Sequence, residues 1–360
     1  MTAVGITPLL VAEDLTKHYP VRGGVWGRSV ATIRAVDGVS LSVAPRRTLG
    51  LVGESGCGKS TLGRTLMRLE TPTRGMVTFE GRDLAHARGD ELQRLRRDIQ
   101  MVFQDPYSSL NPRMTVGEIV REPLVVHEIG SRAEQLARVR ELLDTVGLDV
   151  TTTDRYPSEF SGGQRQRIGV ARALALGPRL VIADEPVSAL DVSVRGQVLN
   201  LMLRLQDELG LAYIFISHDL SVVEHMCDTI AVMYLGRIVE EAPVEALFAR
   251  PAHPYTRALL AAIPSLDPRR RTGVVPLEGE VPSPMQSIEG CPFAPRCSWV
   301  TDACRKTVPV LEAVAAPDSS GNTAAAGANG HRAACLRRLE VVATPLPVSG
   351  ARSRARGASS

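Results

Sequence analysis

The stretch GESGCGKST, Gly53–Thr61, constrains this chain more than any other. RTLGLVG (Arg47–Gly53), which leads into it, is an apolar run with the character of a buried strand, and STLGRTLMRL after it has helical spacing. A loop of the form G-x-x-x-x-G-K-[ST] between a strand and a helix is a phosphate cradle. Gly53, Gly56 and Gly58 let the main chain curl until its N–H groups, those around Ser55, Cys57 and Thr61 included, converge on phosphate oxygens. The helix beginning near Lys59 adds the positive end of its dipole. Lys59 reaches the terminal phosphates and Ser60 offers a hydroxyl to Mg2+.

Such a cradle needs a carboxylate partner, and RLVIAD (Arg179–Asp184) followed by Glu185 supplies it at the end of a second apolar strand. Open α/β sheets place ligand groups at strand ends. Asp184 and Glu185 point in different directions on an extended chain, so one can complete a Mg2+ shell while the other faces water. A third element, FSGGQRQR, opens another helix: Ser161 is placed to cap it, and Gly162 and Gly163 allow close backbone approach. It reads either as an ordinary capped helix or as a second anion-seeking helix start.

RAEQLARVRELLDTVGL and VRGQVLNLMLRLQDELG are helices, the second closed by Gly210, and LAYIFIS (Leu211–Ser217) is a strand. Strand, helix and strand joined by a short turn imply a right-handed crossover and a parallel sheet. AVMYLGRIVE predicts a hairpin turning at Gly236. This texture holds over residues 8–263. Over 264–340 Pro, Arg and Cys become frequent and periodicity fades, and 341–360 is a carboxylate-free tail with Arg352, Arg354 and Arg356. The tail reads as disordered and solvated, with contact to anionic lipid as the other reading.

Charge is nearly balanced, 42 Lys plus Arg against 39 Asp plus Glu, which argues against a dedicated nucleic-acid binder. No segment approaches the roughly 20 apolar residues that span a bilayer. MTAVGITPLLVAEDL has neither the basic start nor the long apolar run of a signal peptide, so a cytoplasmic chain is expected, with any membrane work left to spanning partners. Cys57 and Cys227 stand apart, while Cys291, Cys297, Cys304 and Cys335 crowd the C-terminal part. Four thiolates suit a [4Fe–4S] cluster or zinc, or else are simply packed thiols; the short C-x2-C knuckles of structural zinc are missing.

Taken together these segments resemble the ATP-binding cassette (ABC) family. GESGCGKST looks like its Walker A motif, LVIADE its Walker B and SGGQ its signature. Gln104 in MVFQDPYSSLNP looks like the Q-loop glutamine, SALD ending at Asp191 the D-loop, His218 the switch histidine, and Tyr19 the aromatic that stacks on adenine. The resemblance implies an α/β P-loop fold: a RecA-like core with a parallel sheet, an antiparallel β subdomain and a helical signature subdomain, followed by a small irregular Cys-rich extension. It implies ATP and Mg2+ as ligands, with Ser60, Gln104 and Asp184 around the metal, Glu185 as catalytic base and His218 at the γ-phosphate. It also implies a head-to-tail dimer in which Ser161, Gly162, Gly163 and Gln164 of one cassette complete the phosphate site of the other.

YPSEFSGGQRQR, DEPVSALDVSV, ISHDLSVVEH, MYLGRIVE and HPYTRALLAAIP narrow the resemblance to the oligopeptide/dipeptide importer ATPases, a branch that includes importers of nickel and other small solutes. Ser158 departs from the histidine common there, and the low-complexity stretch before Cys335 is long. The resemblance implies two transmembrane permeases, a second ATPase subunit or a second copy of this one, and an extracellular solute-binding protein. It implies a peripheral place at the cytoplasmic face of the plasma membrane. Some extensions of this kind carry a [4Fe–4S] cluster. A soluble cassette ATPase acting on nucleic acid or ribosomes is the competing reading, and it usually carries two cassettes or long insertions.

Overall fold

The computed structural model describes residues 7–23, 28–263, 279, 282–283, 285–286, 288–314 and 330–345. The chain divides into two compact units, Met1–Arg237 and Ile238–Ser360. The low-complexity stretch and the arginines of the tail lie outside the described residues.

The first unit runs β1 (Leu10–Gly23), β2 (Arg28–Val43), β3 (Thr48–Val52), α1 (Lys59–Leu66), β4 (Arg74–Phe79), β5 (Arg82–Asp83), α2 (Gly89–Asp98), β6 (Ile99–Val102), α3 (Pro106–Ser109), α4 (Val116–Val126), α5 (Arg132–Thr145), α6 (Gly162–Leu174), β7 (Leu180–Asp184), α7 (Val192–Leu209), β8 (Ala212–Ser217), α8 (Leu220–Met226) and β9 (Thr229–Tyr234). Strands β9, β3, β8, β7 and β6 lie side by side in that order, every pair parallel. Every residue of β3, β7 and β8 is buried, as parallel strands covered on both faces require. Because the strands run the same way, the residues that follow them emerge along one edge of the sheet.

The apolar runs locate β3, β7 and β8 to within a residue at each end, while β6 has no counterpart among the expected strands. Helix α5 stops at Thr145, short of the periodicity's end, because Gly147 takes φ 70° and Leu148 N–H bonds back to Leu143 C=O. Gly210, at φ 68°, closes α7. The turn after β9 passes through Leu235 and Gly236 at φ 43° and 80°. Glycine is required at position 50 of β3, since a Cβ there would strike Val223 of α8 and Cys227 just after it.

A second sheet, antiparallel in the order β2, β1, β4, β5, matches the antiparallel subdomain that the resemblance implies. Helix α4 packs on α5 and α6 to form the helical part. Thr115 with Glu118 and Ser131 with Glu134 close reciprocal capping boxes at the starts of α4 and α5.

β10 (Arg237–Pro243) begins on the last residue of the first unit; the second unit carries the rest of it with α9 (Val244–Ala249), α10 (Pro254–Ala261), α11 (Asp302–Lys306), β11 (Glu312–Ala313), β12 (Arg332–Ala333) and α12 (Arg338–Ala343). β12 pairs antiparallel with β10 and β11. The fully buried carboxylate of Glu240 on β10 accepts from the N–H groups of Ala252 and His253 at 2.6 and 2.9 Å and from His331 Nε2 at 2.7 Å. Burial holds His253 down to about 4, against a smaller opposing pull from Glu240, so the ring is neutral at working pH. Val341 is fully buried on α12, so folded chain extends three residues beyond the expected start of the tail.

Candidate active site

Residues that follow β3, β6, β7 and β8 gather at the carboxyl edge of the parallel sheet. The loop after β3 wraps the start of α1, whose N-cap is Gly58 at φ 108° with no side-chain cap. The first N–H groups of α1 are therefore not taken by a capping side chain and suit an anion. A Cβ at Gly58 would collide with the Ala35 carbonyl, and one at Gly53 with the Met233 carbonyl, so only glycine permits this close wrapping. Lys59 is 5% exposed, and its Nζ donates to the carbonyls of Gly53 and Glu54 at 2.7 and 3.0 Å. The Cys57 thiol is buried and pushed up by that burial, with Lys59 partly offsetting it.

Ser60 Oγ donates to Asp184 Oδ1 at 2.8 Å, a contact that closes 124 residues of sequence. Asp184 is 1% exposed; burial raises its carboxyl above the usual range, Glu185 adds to this, and Ser60, Arg64 and Lys59 work against it. A buried carboxylate facing a hydroxyl is a hard-oxygen donor set of the kind Mg2+ takes. The residues present fit that ion.

Glu185 holds φ 45°, a strained conformation fixed by its N–H donating to Ile216 C=O and by Ser188 Oγ donating to its carbonyl. Its Oε2 receives Gln104 Nε2 at 3.1 Å and lies 3.1 Å from His218 Nδ1. Gln104, Glu185 and His218 thus form one cluster beside Ser60 and Asp184.

Tyr19 on β1 touches the start of α1: its hydroxyl meets the side chains of Glu70 and Thr61, and burial followed by the Glu70 charge raises its pKa. Lys17 Nζ lies 4.7 Å from the Tyr19 ring centroid and 3.1 Å from Glu70.

The signature segment sits elsewhere. Ser161 caps α6 in a box with Gln164, whose Oε1 accepts from Ser161 N–H at 2.9 Å. Cβ atoms at Gly162 and Gly163 would meet Leu190 and Val194, so the glycines let α6 approach the segment around Asp191. α6 packs on α3, α4, α5, α7 and β6, whereas α1 packs on β1, β2, β7 and β8. Asp191 is the exposed N-cap of α7 and makes no capping hydrogen bond.

Residues 36–188 match the ABC transporter family, and residues 239–304 match the oligopeptide/dipeptide transporter C-terminal region. A Sinorhizobium fredii protein named for peptide ABC transport is 58% identical over 303 residues, 84% of this chain and 86% of its own. The dipeptide transport ATP-binding protein DppF of Haemophilus influenzae is 52% identical over 85% of this chain and 93% of its own length. The chain belongs to the ABC transporter family of ATP-binding proteins. An ATP-binding cassette solved as a dimer in a post-hydrolysis state with ADP and Pi superposes at a TM-score of 0.58, 31% identical, over 65% of this chain and 98% of that one.

As an ABC ATPase the chain has a second cluster that the nucleotide does not use. Cys291, Cys297, Cys304 and Cys335 all line one cavity of the second unit, with His253, Phe293, Trp299 and Arg337 around them. All six cysteines are free. Cys297 is pushed up to about 11 and Cys335 to about 12, mainly by burial, with a smaller contribution from the neighbouring cysteines. Among the described residues no group of three or more ligating side chains is closed tightly enough for a single metal ion.

Two further polar clusters lie outside the motifs. Arg195 pairs with Asp219 at 3.2 Å, and Asp37 binds both His18 and Arg237. Neither has a sequence signal, because the partners are far apart along the chain.

Proposed function

We propose that this chain is the ATP-hydrolysing subunit of an importer that carries di- and oligopeptides across the plasma membrane. The observation that carries the reading is the gathering of Lys59, Ser60, Gln104, Asp184, Glu185 and His218 at one sheet edge. Near full-length similarity to proteins named for peptide transport supports the solute class. Among the described residues no helix is long and apolar enough to cross a membrane, so the pore belongs to partners. Those partners are two permeases, a second cassette of the same or a related chain, and an external solute-binding protein. The chain sits at the cytoplasmic face.

In this reading Tyr19 stacks on adenine. The main chain from Gly53 to Thr61, with Ser55, Gly56, Cys57 and Gly58, grips the phosphates, and Lys59 turns from the loop carbonyls to the terminal ones. Ser60, Asp184 and Gln104 would hold Mg2+, which supplies charge compensation on the transferring phosphoryl group. Glu185 accepts a proton from the attacking water; Gln104 and His218 converge on Oε2 and fix the carboxylate's direction. His218 then contacts the γ-phosphate. Ser161, Gly162, Gly163, Gln164 and Asp191 of a second cassette complete the site, as befits a helix start held away from α1.

Reconstitution of the intact chain with its permeases in vesicles tests this. Uptake of labelled dipeptide driven by internal Mg·ATP is expected; uptake of nickel without peptide would transfer the chain to another solute class, and ATP-independent uptake would contradict the motor role.

We also propose that Cys291, Cys297, Cys304 and Cys335 ligate a [4Fe–4S] cluster. Their shared cavity and their free thiols support this, since four cysteine thiolates are the donor set of such a cluster. Bound there, it would supply a structural tie or a redox-sensitive one. Anaerobic purification is expected to give brown protein with about four irons per chain, and Cys297→Ser to lose the colour. A colourless chain with stoichiometric zinc would refute it.

A further inference from the structure

We propose that Asp37 is a positioning residue for the nucleotide base, linking the strand that presents Tyr19 to the loop that holds the phosphates. The inference rests on Tyr19 being the adenine platform.

The register of β1 on β2 slips at this point: Lys17 faces Val36, but His18 faces Arg34. Ala35 is the extra residue of this bulge. Its carbonyl lies where a Cβ on Gly58 would be, so the bulge touches the phosphate loop, while the residue after His18 on the opposite strand is Tyr19. One irregularity therefore sets both the direction of the platform and the wall of the cradle.

Asp37 pins it from three sides. Oδ1 lies 3.0 Å from His18 Nε2. Oδ2 accepts from Arg237 Nε and Nη2 at 3.1 and 2.6 Å. The Asp37 N–H donates to Gly236 C=O at 2.9 Å, and Gly236 N–H donates to Cys57 C=O at 2.9 Å, inside the phosphate loop. Burial works to raise Asp37, but Arg237 and His18 outweigh it and hold the carboxyl below its usual range. A continuous path of polar contacts thus runs from the residue beside Tyr19 to the residue before Gly58. His18 bonds to Asp37 through its ring and to Thr73 Oγ through its N–H, so it acts through the strand.

The test uses the full chain and two ligands, Mg·ATP and Mg·tripolyphosphate, the second lacking the base. His18→Ala, at a partly exposed position, removes only the strand arm and leaves the Asp37–Arg237 pair intact. It is expected to raise the Kd for ATP about tenfold, the scale of one charge-assisted hydrogen bond, and to leave tripolyphosphate within about twofold. Asp37→Asn is expected to shift ATP in the same direction. Tyr19→Ala serves as reference and, combined with His18→Ala, adds little. If Tyr19→Ala weakens ATP while His18→Ala does not, or if His18→Ala weakens both ligands equally, the inference falls. If Tyr19→Ala itself leaves ATP unchanged, the adenine platform reading falls and takes the inference with it.

Discussion

Glu185→Gln is expected to lower ATP turnover by about a thousandfold while leaving the Kd for Mg·ATP within about threefold. The amide keeps the size of the carboxylate and its place at the end of β7, where the Glu185 N–H to Ile216 bond and the strained backbone are untouched. It loses only the ability to take a proton from water. The contacts that bind nucleotide, through Lys59, Ser60 and Asp184, remain. Binding then proceeds without release, and the variant is expected to accumulate a nucleotide-closed dimer with its partner cassette, visible by light scattering. Phosphate release assays read the first effect. Turnover within tenfold of wild type would remove Glu185 from the role of base.

Lys59→Ala is the converse case. The ammonium is buried, and alanine deletes the one cation whose Nζ lies inside the loop, donating to Gly53 and Glu54. The Kd for Mg·ATP is expected to rise at least about a hundredfold, the loss of one strong charge-assisted contact to phosphate. Lys59→Arg is not expected to rescue it, because a planar fork does not reproduce the compact ammonium that donates to the Gly53 and Glu54 carbonyls. Retained ATP affinity in both variants would mean that Gly53–Thr61 is only a turn.

The parts of the site that the sequence revealed are those where chemistry follows a buried strand. Strands β3, β7 and β8 are short apolar runs buried throughout, so the phosphate loop with Lys59 and the strand-end Asp184 are legible from pattern, whereas the role of His218 came only through the family resemblance. The antiparallel sheet was reached only through the family resemblance. β1 on β2 slips register four times, which breaks the alternation that would announce two long strands. The Asp37–Arg237 bond joins residues 200 apart, and no local signal encodes that pairing. The cysteines show both limits. Their spacing suggests a common ligand, yet a long gap separates Cys335 from Cys304. It is β12, pairing with β10 two residues before Cys335, that brings this thiol to the cavity.

Calorimetric titration of the full-length chain with Mg·ATP, run side by side on wild type, Glu185→Gln and Lys59→Ala, tests the central claim most directly. Saturable binding of about one nucleotide per chain is expected for wild type and Glu185→Gln, with none for Lys59→Ala at the same concentrations. No binding by wild type, or equal binding by Lys59→Ala, would contradict the account.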